Sequence, residues 1–97
     1  LSLTNNLFLF KMDLVNKLQT YPQGILFAAI KNLKQEEIPE FWQQYVSYMG
    51  DPNRLGRSHL ATINPEEAAR RNVKYALSLY EKEISDIWLD LIPELRV

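Results

Sequence analysis

Apolar residues recur along this chain mostly at steps of three and four, the spacing that lines one face of an α-helix. In the first part they fall at Leu7, Phe8, Phe10, Leu14, Val15 and Leu18. This predicts a helix over about 7–20, capped by the Asn5 or Asn6 amide and stopped by Tyr21-Pro22-Gln23-Gly24. The stretch 25–34 is apolar on most sides (Ile25, Leu26, Phe27, Ala28, Ala29, Ile30, Leu33). Periodicity alone does not separate a buried helix from a buried strand there, but Ala28-Ala29 and the Lys31–Lys34 continuation favour helix.

A third helix is predicted over about 38–49. Ile38, Phe41, Trp42, Tyr45, Val46 and Met49 form one face, and Pro39 sits in the first turn, where its missing N–H costs nothing. Gly50 reads as the C-cap, and Pro52 prevents continuation. The connection that follows, 50–63, is longer than the two to eight residues usual between helices, so it either has a function or holds a turn of its own. Leu55, Leu60 and Ile63 are its candidate anchors to the core.

The strongest start signal is Asn64-Pro65-Glu66-Glu67: a cap, a first-turn proline and a glutamate at the third helical position for a reciprocal capping box. Apolar residues follow at 69, 73, 76, 77, 80, 84, 87, 88 and 91, with no breaker before Pro93. The pattern predicts one helix over about 65–92, roughly 42 Å long at 1.5 Å per residue. A compact body of this mass is only about 32 Å across. Such a helix therefore overhangs the body, kinks, or packs on another chain. Ile84, Ile87, Trp88 and Leu91, near its end, become the candidate interface.

The expected fold is all-α: a four-helix bundle-like domain spanning 1–97, with the long C-terminal helix as its spine. Composition agrees. Of 97 residues 46% are hydrophobic and 24% charged, as in an ordinary globular domain. With no cysteine, disulfides, zinc ribbons, iron–sulfur clusters and thiol nucleophiles are excluded. No apolar run approaches the ~20 residues of a membrane span, and the apolar N-terminal stretch lacks the basic start of a signal peptide. The expectation is no membrane association and a cytoplasmic location. The first residue is Leu1, and Met12 is an internal candidate start. A piece of a larger protein, or half of a dimer, thus competes with a self-sufficient domain.

The net charge of −1 points to no particular partner, but its distribution is uneven. Arg54, Arg57, Arg70, Arg71 and Lys74 outnumber Glu66 and Glu67 between 52 and 74, whereas acidic residues dominate after 79. The basic group is a candidate phosphate-contacting patch, with Tyr48 or Tyr75 available for stacking, although a pI near 5.8 is low for a nucleic-acid module.

Catalytic signals are scarce. The one histidine, His59, adjoins Ser58, but adjacent side chains rarely point together and no strand–turn–helix elbow surrounds them. Asp51, Asn53 and Gly56 begin like a calcium loop, yet Leu55 and Thr62 occupy positions that need oxygen ligands. Tyr45, Tyr48, Tyr75, Tyr80, Trp42 and Trp88 lie at helical spacing and read as core or interface. No cofactor, no metal and no enzymatic activity are expected. The favoured expectation is a helical protein–protein interaction or regulatory module that binds a protein partner or itself. The alternative is a small nucleic-acid-binding subunit of a larger complex using the Arg54–Lys74 group.

Overall fold

The structure, a computed structural model, describes residues 22–54 and 58–96. The helix expected over 7–20, with its Asn5/Asn6 cap and its end at Tyr21, lies outside the described residues. So do Leu55 and Arg57. Among the described residues there are helices and 3₁₀ turns and no strand, so the fold is all-α.

Helix α1 runs Pro22–Asn32. Pro22, Gln23 and Gly24 were expected to form a turn; they are instead its first turn. The first N–H groups of a helix have no intrahelical acceptor, so a proline there loses nothing. Ile25, Leu26 and Ala29 are buried. The chain leaves α1 when Lys34 adopts an extended conformation, φ −77° and ψ 159°. A 3₁₀ turn, Gln35–Glu37, follows, and Glu37 Oε1 accepts the Lys34 N–H at 2.8 Å.

Helix α2 spans Ile38–Gly50 and buries Ile38, Phe41, Trp42, Tyr45 and Met49, the stripe that the spacing predicts. Its end differs from expectation. Gly50 is the last helical residue, and Asp51 holds the cap position with an ordinary φ of −66°. No left-handed conformation calls for glycine there. Close approach does: a Cβ on Gly50 would lie 3.2 Å from both Cβ and Cγ of Pro65. A rigid proline ring yields little, so we expect Gly50→Ala to destabilise the domain by about 1 kcal/mol despite alanine's better helix propensity. Urea denaturation would show this as a lower midpoint at unchanged slope.

The long connection does hold a turn of its own, helix α3, His59–Ile63. Ser58 caps it, its hydroxyl accepting the Ala61 N–H at 3.1 Å. The anchoring residue is Ala61, fully buried, with Leu60 partly buried beside the core. Ile63, expected to pin the loop, is 66% exposed.

Helix α4, Pro65–Leu77, starts as predicted, with the Asn64 carboxamide oxygen accepting the Glu67 N–H at 3.1 Å. The reciprocal half of the capping box does not form. The Asn64 N–H already donates to the Leu60 carbonyl at 2.7 Å, closing α3, so Glu67 has no donor there to reach. Ala68, Ala69, Val73, Ala76 and Leu77 are buried, and the small residues let α4 lie close to α1, α2 and α3.

The single helix expected over 65–92 is two helices. Helix α4 ends at Leu77, and α5 runs Lys82–Leu91. No glycine or proline marks the break. Between them the backbone tightens: Leu79 N–H bonds the Ala76 carbonyl and Tyr80 N–H the Leu77 carbonyl, each three residues back. The Ser78 hydroxyl donates to the Tyr75 carbonyl at 2.5 Å, and Glu81 is extended at ψ 152°. The reason is packing. A continuous helix of roughly 42 Å would carry its end past a body whose longest dimension is 33 Å. Breaking it costs a few helical hydrogen bonds and returns Trp88, Ile92 and Leu95 to the core. A terminal 3₁₀ turn, Pro93–Arg96, packs Leu95 against the body, and Trp42 Nε1 donates to Glu94 there at 3.3 Å.

An apolar groove as candidate functional site

Helix α5 does not close completely on α1. Ile30 and Leu33 from α1 and the chain just beyond it, Ile38 from the start of α2, and Ile84 and Ile87 from α5 line a groove of about 270 Å³, with Trp88 beside them. Lys34 and Gln35 complete the α1-side wall. The groove exists because α1 is apolar on more than its core face. Ile25, Leu26 and Ala29 meet the core, which leaves Ile30 and Leu33 on the flank, only partly buried.

Of the four predicted interface residues, Ile84, Ile87 and Leu91 are partly buried against the core edge, and Ile84 and Ile87 line the groove. Trp88 is 2% exposed and belongs to the core. Its ring meets Phe41 edge-on at 5.8 Å between centroids, and Phe41 stacks on Tyr45 at 5.6 Å. Trp88 therefore holds α5 in place, and the isoleucines beside it provide the accessible surface. The opposite wall, Ile30, Leu33 and Ile38, was not singled out from the sequence. The signal for it was the excess of apolar residues around α1, more than one buried face requires.

The basic group is partly neutralised. Arg70 and Arg71 both pair with Glu67, Arg71 through its Nε at 3.0 Å. Arg54 has its guanidinium 5.2 Å from the centre of the Tyr48 ring, and its Nη2 donates to the Met49 carbonyl at 3.3 Å. It thereby satisfies an end carbonyl of α2 and makes a cation–π contact. Lys74 is exposed on α4. Tyr75, the second stacking candidate, is exposed on α4, whereas Tyr48 is occupied by Arg54.

His59 is the exposed first residue of α3, and its neighbour Ser58 uses its hydroxyl to cap that helix. The Asp51 carboxylate accepts the Asn53 N–H at 2.9 Å, a local turn. Among the described residues no group of three or more histidine or acidic side chains is placed to hold a metal ion. Nor is any described helix long and apolar enough to cross a membrane.

Two tyrosines behave unusually. Tyr45 is fully buried, which pushes its phenol well above the ordinary range, and Asn72 Nδ2 donates to its hydroxyl oxygen at 3.3 Å. Burial also raises Tyr48, with the neighbouring Arg54 cation opposing the shift. Tyr45 faces Asn72 of α4, and Tyr48 stacks beside Tyr45 on α2. In both, burial disfavours the charged phenolate and so favours the neutral phenol.

Comparison with known protein families, with curated proteins and with solved structures gives no match in any of the three.

Proposed function

We propose that this chain is a non-enzymatic helical interaction module that binds protein through the groove between α1 and α5. The observation that carries the reading is the groove itself. Five aliphatic residues, Ile30, Leu33, Ile38, Ile84 and Ile87, line an opening whose wall Lys34 and Gln35 complete. At about 270 Å³ it falls just below the usual size of a small-molecule pocket. An aliphatic side chain or a helix edge fits it better, as in helix-in-groove recognition. The phosphate-contact alternative draws less support, since Glu67 offsets two of its arginines and Arg54 is turned onto Tyr48.

Site-specific photo-crosslinking in the expressing cells tests this. A benzophenone side chain at Gln35, on the groove wall, is expected to yield a protein adduct that Ile87→Glu abolishes. The same group at Tyr75, on the exposed side of α4, is expected to yield none that depends on Ile87. Absence of an Ile87-dependent adduct from Gln35 overturns the reading.

A further inference from the structure

The bend between α4 and α5 has little local support. Ser78 is already right-handed helical, at φ −65° and ψ −16°. Glu81 has a helical φ of −66° and departs in ψ, at 152°. No side chain caps the first turn of α5, whereas Ser58 caps α3 and Asn64 caps α4. Ser78-Leu79-Tyr80-Glu81 holds no glycine or proline, so a helix passes through it at ordinary cost. The apolar stripe also keeps its helical register across the bend, from Val73 and Ala76 through Tyr80 to Ile84, Ile87 and Trp88. What the bend does have is the Ser78 hydroxyl on the Tyr75 carbonyl and the tightened bonds of Leu79 and Tyr80. A continuous helix would replace those with ordinary bonds four residues back. The local chain therefore favours a straight helix, and the burial of Trp88, Ile92 and Leu95 bends it.

That burial needs a body, but not its own. A straight helix over 65–92, roughly 42 Å long, carries its end off a body whose longest dimension is 33 Å. The site it leaves, with the Phe41 ring and the Trp42 Nε1 donor, is the same on every copy of the chain. We infer that two copies exchange their C-terminal segments, α5 with the terminal 3₁₀ turn, using Ser78–Glu81 as the hinge. Each 82–96 segment then packs on the α1–α4 body of the other copy, and its monomer contacts recur between chains. Trp88 of one copy meets Phe41 of the other, and Glu94 accepts from Trp42 across the pair. The groove re-forms between α1 of one chain and α5 of the other, so the exchange does not depend on what the groove binds. Only the hinge differs, straightening into helix. The chains cross there, beside Tyr75 and Leu79, two large apolar side chains that the monomer leaves exposed. Because the exchanged contacts are equivalent, hinge preference and protein concentration set the balance between the two forms.

The hinge makes the test specific. The full chain is refolded from urea at high protein concentration, and monomer and dimer are separated by size exclusion. The wild type is expected to give both. Ser78→Ala combined with Glu81→Ala raises helix propensity and removes the Tyr75 contact, and should increase the dimer-to-monomer ratio about tenfold. Glu81→Pro matches the observed φ of −66° and forbids a straight helix, so it should give monomer alone, with wild-type helical content by circular dichroism. Hydrogen exchange reads the hinge directly. In the monomer the Lys82 and Glu83 N–H groups head α5 with no intrahelical acceptor and no side-chain cap. In the exchanged dimer they bond the Ser78 and Leu79 carbonyls, and their exchange should slow at least tenfold.

Monomer alone from both the wild type and the double-alanine variant overturns the inference. So does a folded Glu81→Pro variant that dimerises as the wild type does. A dimer whose Lys82 and Glu83 amides exchange as fast as the monomer's is a side-by-side pair, and it too overturns the exchange. If Glu81→Pro fails to fold, the amide readout on the wild-type dimer decides by itself.

Discussion

Replacing Trp88 by alanine should lower the stability of the domain by about 3–5 kcal/mol, the range for truncating a large buried aromatic. The side chain is 2% exposed and packs edge-on against Phe41, which in turn stacks on Tyr45. Its removal leaves a cavity between α5 and α2 with no neighbour free to fill it, because Phe41 and Tyr45 are themselves held in the stack. Domains of this size are stable by only about 5–15 kcal/mol, so the loss is a large fraction of the total. The melting temperature should fall by roughly 12–40 °C, at about 4–8 °C per kcal/mol for a chain of this length. Circular dichroism melting and urea titration measure both quantities. A loss under 1 kcal/mol would show that α5 does not depend on this contact. The position also determines how the groove is tested. A charged residue at Trp88 would unfold the domain, whereas changes at Lys34 and Ile87 address the groove wall.

The second large effect concerns alkaline pH. Tyr45 is fully buried, and burial raises its phenol far above the ordinary value near 10. Its native state holds the proton at pH values where the unfolded chain has released it. Stability follows the difference in bound protons between the unfolded and native states, which is negative here. The stabilisation linked to Tyr45 is therefore complete below about pH 10. It declines as pH rises through the ordinary phenol range, by up to about 1.4 kcal/mol per pH unit. Over two units this approaches about 3 kcal/mol. Tyr48, also raised, adds to the effect in the same direction, less so because Arg54 opposes its shift. Denaturant unfolding from pH 8 to 12 should show the decline in the wild type. Tyr45→Phe should flatten most of it while costing about 1 kcal/mol at neutral pH through the lost Asn72 contact. An unchanged alkaline slope in Tyr45→Phe would assign the sensitivity elsewhere.

Trp88 and Tyr45 also show where reading a pattern differs from reading a fold. Both lie on the predicted helical stripes, so their helices and their apolar faces were legible. The stripe could not say that Trp88 faces inward while Ile84 and Ile87, on the same face of α5, remain accessible at its edge. That distinction depends on where α1 lies, and α1 is far away in sequence. A count of charges along the chain likewise leaves out how they pair. Arg70 and Arg71 count as two positive charges along the chain, but Glu67 lies within one turn of both and takes them together.

Local chemistry was sufficient for the all-α class, for the Ile38-Phe41-Trp42-Tyr45-Met49 face, and for the start of α4 at Asn64-Pro65. Caps, first-turn prolines and periodic apolar residues act within a few residues of themselves, so their effect is written in order along the chain. The tertiary structure alone decided three things. It divided the 65–92 stretch at Ser78–Glu81, where no residue is a breaker, because only a broken helix returns Trp88, Ile92 and Leu95 to the body. It gave Gly50 the role of admitting Pro65 rather than of turning the chain. And it placed the spare apolar flank of α1 opposite α5, with Lys34 on the wall of the groove between them. Each of these depends on surfaces distant in sequence, and their packing free energy outweighs the small local preferences that the pattern records.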